Sequence, residues 1–234
     1  MEKIKVFTAF SGYDSQCLAL DYLGLDYELV GWSEIDRYAI QAHNVLFPQY
    51  AERNYGDISR IDWSAVGDFD LFTYSSPCQD FSNAGLQNGG EEGSGTRSSL
   101  LWECKKAIKA KHPRWLLMEN VKALVSKKFM PTLQLWLNWL ESEGYSNYVK
   151  VLNAKDYGIP QNRERVFVVS ILGGGGYEFP APIPLERKLK DMLESNVDEK
   201  YYLAQEKVDK FFEQLSLANL RRLNYEDSYT DKCR

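Results

Sequence analysis

The chain has 234 residues, 44% hydrophobic and 26% charged, with a formal net charge of −5. It is long enough for one sizeable core, and no apolar run reaches the length of a membrane span. Four cysteines (Cys17, Cys78, Cys104, Cys233) without a CxxC pair and two histidines (His43, His112) argue against a zinc site and for a cytosolic protein with reduced thiols.

Met1 to Phe7 already reads as a strand start, so no signal peptide is expected. Ile4 to Phe10 forms that first strand, and Ser11-Gly12-Tyr13-Asp14 is a turn. Ser15 to Leu23 suits a helix, with Leu18, Leu20 and Leu23 as its apolar residues. Leu29 to Trp32 is a short strand that ends at Ser33-Glu34, and Ile35 to Phe47 is a helix closed by Pro48. A further strand is a candidate before Asp57-Ile58, and Phe69 to Tyr74 is an apolar strand. Residues 83–99, rich in Gly, Ser, Asn and Glu, read as a loop. Leu100 to Lys111 is helical, Trp115 to Met118 is a strand ending at Glu119-Asn120, and Phe129 to Ser142 is a helix. Asn147 to Leu152 and Arg165 to Leu172 are strands. Strands alternating with helices predict a doubly wound, mostly parallel α/β sheet.

Gly173-Gly174-Gly175-Gly176 breaks the composition, a Pro-rich stretch follows, and the remainder is charged and helical. The expected organisation is a catalytic and cofactor-binding domain over 1–172 and a helical C-terminal segment over 173–234. Net acidity argues weakly against a nucleic-acid binder. The basic residues Lys105, Lys106, Lys109, Lys111 and Arg114, then Lys122, Lys127 and Lys128, read as a solvated face at helical spacing.

In an open α/β sheet, ligands sit outside the carboxyl ends of the strands. Candidate residues gather at those ends. Phe10-Ser11-Gly12 forms a turn that lets the backbone approach a ligand, and Glu34 follows as an acid for ribose hydroxyls. A full G-x-G-x-x-G is absent, which counts against a dinucleotide. Asp57 is an acceptor for an exocyclic amine. Singly these acids read as solvated loop residues; together at successive strand ends they favour a nucleoside. Ser75-Ser76-Pro77-Cys78-Gln79-Asp80-Phe81-Ser82 sets a cysteine on a proline-stiffened turn past a buried strand, a position for chemistry more than for packing. Glu119-Asn120-Val121 follows the next strand, and a carboxylic acid beside a low-dielectric pocket can be kept protonated and so act as a hydrogen-bond donor. Gln161-Asn162-Arg163-Glu164-Arg165 enters the last strand; taken alone, Arg163 and Arg165 read as ordinary surface pairing, the alternative being one arginine for the pocket and the other for a phosphate or Glu119.

In this order and spacing, Phe10-Ser11-Gly12, Glu34, Asp57, Pro77-Cys78-Gln79, Glu119-Asn120-Val121 and Gln161-x-Arg163-x-Arg165 resemble the cytosine-5 DNA methyltransferases over about residues 3–172. The resemblance implies a class I, Rossmann-like methyltransferase fold and S-adenosyl-L-methionine as cofactor, with S-adenosyl-L-homocysteine as product and no metal. It implies a cofactor set of Phe10, Ser11, Gly12, Glu34, Ile35, Asp57, Ile58 and Pro77. Cys78 would add to carbon 6 of a flipped cytosine, and Glu119 would donate to the ring nitrogen. Arg165 would hold the base carbonyl and support Glu119, with Arg163 assisting. Asn120 would position the Pro77-Cys78 turn, and Gln79 and Ser82 would lie on the substrate side. The implied partner is double-stranded DNA, in restriction-modification or phage DNA modification, inside a bacterial or phage-infected cell.

The sequence departs from the family pattern at Asp14 and Ser15, which stand where glycines are usual. The family's target-recognition domain and its closing C-terminal motifs are not found, which leaves three readings open: one half of a split enzyme whose second subunit carries them, a truncated gene product, or a degenerate protein. RNA cytosine-5 methylation and a non-catalytic binding partner are the competing readings. The absence of a Cys-Phe-Thr segment favours DNA.

Overall fold

A computed structural model describes residues 3–77 and 97–214. Among these, residues 3–77, 97–152 and 164–180 belong to one compact unit and residues 153–163 and 181–214 to a second. The first unit holds a six-stranded sheet: β1 (Ile4–Ala9), β2 (Tyr27–Ser33), β3 (Leu71–Tyr74), β4 (Trp115–Val121), β5 (Tyr145–Asn153) and β6 (Glu164–Leu172), in the spatial order β2-β1-β3-β4-β6-β5. β1 runs parallel to both β2 and β3, β3 runs parallel to β4, and β6 is antiparallel to β4.

The sequence of β1 shows why the sheet is covered on both faces. Successive strand residues point to opposite sides. Val6 accordingly joins a cluster with Cys17, Leu29, Trp32 and Phe47, while Phe7 joins a larger one with Phe72, Tyr74, Met118 and Trp136. Helices α1 (Ser15–Tyr22) and α2 (Arg37–Leu46) follow β1 and β2, and Cys17 of α1 packs in the smaller cluster. Helices α3 (Cys104–Lys111) and α4 (Met130–Ser142) supply Ile108, Leu133, Trp136 and Leu140 to the larger one. The Trp136 indole N–H donates to the Tyr74 hydroxyl at 3.2 Å, so both buried polar groups are satisfied. Gly31 is needed for close approach: a Cβ there would lie 2.6 Å from the Tyr55 ring and 2.7 Å from Phe7.

Two expectations need correction. No strand forms before Asp57. Residues Pro48–Arg53 make a 3₁₀ turn begun by a proline, and a single parallel bridge, Trp32 to Asn54, replaces the ladder. The helix expected from Leu100 starts as a 3₁₀ stretch, Arg97–Glu103, and becomes α-helical only at Cys104. Among the described residues, four of the eight side chains of the basic face pair with acids: Lys106 with Glu103, Lys109 with Glu143, Lys111 with Asp68 and Lys122 with Glu164.

In the second unit, Tyr157 bridges to Ile183, short turns occupy Leu189–Met192 and Glu199–Tyr201, and α5 spans Gln205–Gln214. No described helix is long and apolar enough to cross a membrane.

Candidate functional site

The strand register fixes where the candidate residues converge. Ser33, Ala9, Tyr74, Met118 and Val168 form one row of paired residues across β2, β1, β3, β4 and β6. The first four of these strands run in one direction, so Phe10-Ser11-Gly12, Glu34, Ser75-Ser76-Pro77 and Glu119-Asn120 all lie just beyond the row at the carboxyl edge. Antiparallel β6 brings its first residues, Glu164 and Arg165, to that same edge. Arg163 belongs to the second unit, where its N–H donates to Asn153 Oδ1 at 3.0 Å. Cys78, Gln79 and Ser82 lie outside the described residues.

The turn after β1 is unusual. Phe10, Gly12 and Asp14 have φ of 55°, 59° and 66°, three left-handed residues within five. Side chains with a Cβ rarely adopt this conformation, and where they do the surroundings hold it. Gly12 donates its N–H to Glu34 Oε2 at 2.9 Å. The other Glu34 oxygen accepts from the N–H groups of Ile35 and Asp36 at 2.8 and 2.9 Å. Glu34 thus ties the ends of β1 and β2 together while keeping lone pairs free. Asn54, which sequence reasoning missed, fixes Glu34 in turn. Its Oδ1 accepts from the Glu34 N–H at 3.2 Å and its Nδ2 donates to the Glu34 carbonyl at 3.1 Å. The only local signal was an asparagine two residues before a glycine, and Oδ1 does accept from the Gly56 N–H at 2.9 Å.

The Ser11 hydroxyl is buried and has no hydrogen-bond partner. A Cβ built on Gly12 would meet nothing within 4 Å. An orphaned donor beside open space, next to a carboxylate, suits a polar ligand. Asp57 caps the Ile58–Arg60 turn by accepting from the Ser59 hydroxyl and N–H at 2.8 and 3.0 Å. The Ser59 hydroxyl bond first, and its N–H bond second, hold the Asp57 carboxyl below the ordinary aspartate range, so it stays an acceptor at neutral pH. Ile58 is buried in the core, whereas Ile35 is exposed.

Past β3, the chain is anchored by Asn120. This buried side chain donates from Nδ2 to the Ser76 carbonyl at 3.1 Å and to the Ser76 hydroxyl at 3.3 Å. Its Oδ1 accepts from the Val121 N–H at 2.9 Å. Glu119 and Asn120 belong to β4 itself, because pairing with β6 continues to Val121 opposite Arg165. Glu119 faces Phe167 across the ladder and reaches diagonally to Arg165, whose Nε lies 3.0 Å from Oε1. The two side chains keep 27% and 24% of their surface exposed, so the pair is open to a ligand at the edge. Both described cysteines are buried. Desolvation above all, then the Asp14 carboxylate for Cys17 and Glu103 for Cys104, push these thiols up, so neither is a nucleophile.

The model of the C-5 cytosine-specific DNA methylase family matches residues 4–231. The type II methyltransferase M2.ScrFI of Lactococcus lactis subsp. cremoris is 40% identical over 88% of this chain and 71% of its own length. The orphan methyltransferase M.Rho11sI of Bacillus phage rho11s is 34% identical over 92% of this chain, which spans only 48% of that protein. Among solved structures, S. pombe Dnmt2 methyltransferase superposes with a TM-score of 0.69 at 20% identity, covering 92% of this chain and 67% of its own. The Entamoeba histolytica methyltransferase EhMeth gives 0.70 at 18% identity, covering 88% and 64%. At such identities the structural likeness establishes the class I methyltransferase fold. Affiliation rests on the sequence matches, which run through nearly the whole chain: it belongs to the C-5 cytosine-specific DNA methylase family.

Proposed function

We propose that this chain transfers a methyl group from S-adenosyl-L-methionine to carbon 5 of cytosine in DNA, within a restriction-modification system or a phage modification pathway. The observation that carries the reading is the Glu119–Arg165 pair at 3.0 Å, on the same strand end whose Asn120 anchors the segment leading into Cys78. The residues at the β1 and β2 ends suit the cofactor. Glu34 and Asp57 would accept from its hydroxyls and amine, the Ser11 hydroxyl would donate, and the Gly12 turn leaves space. When bound, S-adenosyl-L-methionine supplies an electrophilic methyl group.

In the proposed reaction the Cys78 thiolate forms a bond to carbon 6 of the base. The 5,6 π pair shifts to form a double bond between carbons 4 and 5, the π pair between carbon 4 and the ring nitrogen moves onto that nitrogen, and the nitrogen takes a proton from Glu119. Arg165 holds the base carbonyl and fixes Glu119. Carbon 5 would take the methyl group as the cofactor's methyl–sulfur bond breaks and S-adenosyl-L-homocysteine leaves; the carbon-5 proton would then pass to solvent, the carbon–sulfur bond to Cys78 would break to release the thiolate, and the ring nitrogen would return its proton to Glu119. Carbon 6 is inaccessible in a duplex, so the base must be flipped out. Gln79 and Ser82 would line the substrate side of the Pro77-Cys78 turn.

Ser11→Ala tests the cofactor assignment without touching the chemistry. Removing a buried hydroxyl with no partner leaves nothing unsatisfied, so the melting temperature should hold or rise. Affinity for S-adenosyl-L-homocysteine, measured by calorimetry, should fall about tenfold, the loss of one hydrogen bond. Unchanged affinity would remove Ser11 from the site.

A net charge of −5 gives little long-range attraction for phosphate. We therefore include in the proposal a partner polypeptide that supplies target recognition. Bisulfite mapping of a mixed-sequence plasmid incubated with the chain alone should show little methylation and no defined motif. Efficient methylation of one motif would overturn the need for a partner.

A further inference from the structure

The one fully buried side chain of α2 is His43. Its ring stacks on Trp32 with centroids 3.6 Å apart, and its Nε2 lies 3.5 Å from Asp14 Oδ2. That is ion-pair range without a formed hydrogen bond. Asp14 is equally buried. Its Oδ2 accepts from the Thr8 hydroxyl at 2.8 Å and its Oδ1 caps α1 by accepting from the Cys17 N–H at 3.3 Å. A buried carboxylate persists only where such partners surround it.

Asp14 is also the last left-handed residue of the turn that carries Ser11 and Gly12, and its N–H donates to the Ser11 carbonyl at 2.8 Å. Two carboxylates therefore bracket the turn. Glu34 holds Gly12 from the β2 side, and Asp14 holds the far end against Thr8 of β1, α1 and α2. A glycine would adopt φ 66° without help; an aspartate needs the surroundings to fix it. The histidine meets the Asp14 charge from α2 and reports to β2 through Trp32, the residue before Ser33-Glu34.

We propose that His43 is a positioning residue for methyl transfer: through Asp14 it holds the Ser11–Asp14 turn in the shape that receives the cofactor. The inference rests on the proposed binding of S-adenosyl-L-methionine at that turn. His43 touches no reacting atom. It acts by keeping a polar ring nitrogen 3.5 Å from a buried carboxylate, which apolar packing alone cannot do.

The test compares His43→Leu with His43→Gln in the full chain, reading calorimetric affinity for S-adenosyl-L-homocysteine beside the melting temperature. Leucine fills the space without a donor, and glutamine restores a side-chain N–H. His43→Leu should weaken binding about tenfold, and His43→Gln should stay within about threefold of wild type. Asp14→Asn keeps the helix cap and removes the charge. In its background the difference between the two His43 variants should vanish, because the coupling has lost its partner. Should His43→Leu fold poorly, the Asp14→Asn and His43→Gln pair still reads the coupling. Equal affinities for His43→Leu and His43→Gln, or additive effects with Asp14→Asn, would overturn the inference and leave His43 as packing. Absence of binding by the wild-type chain would instead overturn the cofactor reading, and this inference with it.

Discussion

Cys78→Ser is expected to abolish methyl transfer, by on the order of 10⁴-fold or more, the scale for losing a covalent nucleophile. In the proposed reaction the thiolate is the attacking species, and a serine hydroxyl is far less ionised near neutral pH. β3 is parallel to β1 and β4, so the segment after Tyr74 emerges at the edge where Glu34, Glu119 and Arg165 gather. Asn120 fixes that segment at Ser76, two residues before Cys78. The two described cysteines offer no substitute, because burial keeps both thiols neutral. The measurement is a denaturation-resistant adduct with a duplex carrying 5-fluorocytosine, in the presence of any polypeptide the reaction needs. Fluorine in place of the carbon-5 proton blocks release, so a sulfur–carbon bond once formed stays. Wild type should form the adduct and Cys78→Ser should not, with the melting temperatures of the two close together. An adduct that persisted in Cys78→Ser would assign the nucleophile elsewhere.

The parts of this molecule that could be read from sequence are those whose signal is local. Ile4–Ala9 and Leu71–Tyr74 are apolar runs because both faces of a central strand are covered, and they were legible as strands. Ends were less legible. Glu119 and Asn120 look like loop residues, yet they are strand residues, since partners on β6 carry the ladder on to Val121. The stretch before Asp57 looks like a strand, but Pro48 starts a 3₁₀ turn there, and Arg53 is drawn instead to Glu28 and the Leu29 carbonyl. The Asp14–His43 contact was not legible, because its members stand 29 positions apart on two different helical segments. The sequence showed only an aspartate where the family has glycine; the three-dimensional neighbours that accommodate it come from β1, β2 and α2.

Glu119→Gln should slow methyl transfer by about tenfold to a thousandfold, the range for removing one group that stabilises charge in the transition state. Glutamine keeps the shape of the side chain and can still accept from Arg165 Nε, now 3.0 Å from Glu119 Oε1. What it cannot do is deliver a proton to the ring nitrogen as negative charge builds there after thiolate addition. Stability should barely move. The pair is partly solvated, with 27% and 24% of the two side chains exposed, and ion pairs of this kind contribute under about 1 kcal/mol. A fall in rate without a fall in melting temperature therefore separates a chemical role from a structural one. The rate is read in single turnover with saturating cofactor and duplex, so that binding and product release do not mask the step. Adduct formation with the 5-fluorocytosine duplex should slow by a similar factor, since Glu119 acts in the addition that creates the adduct. A single-turnover rate equal to wild type would show that Glu119 serves only to hold Arg165 at the sheet edge.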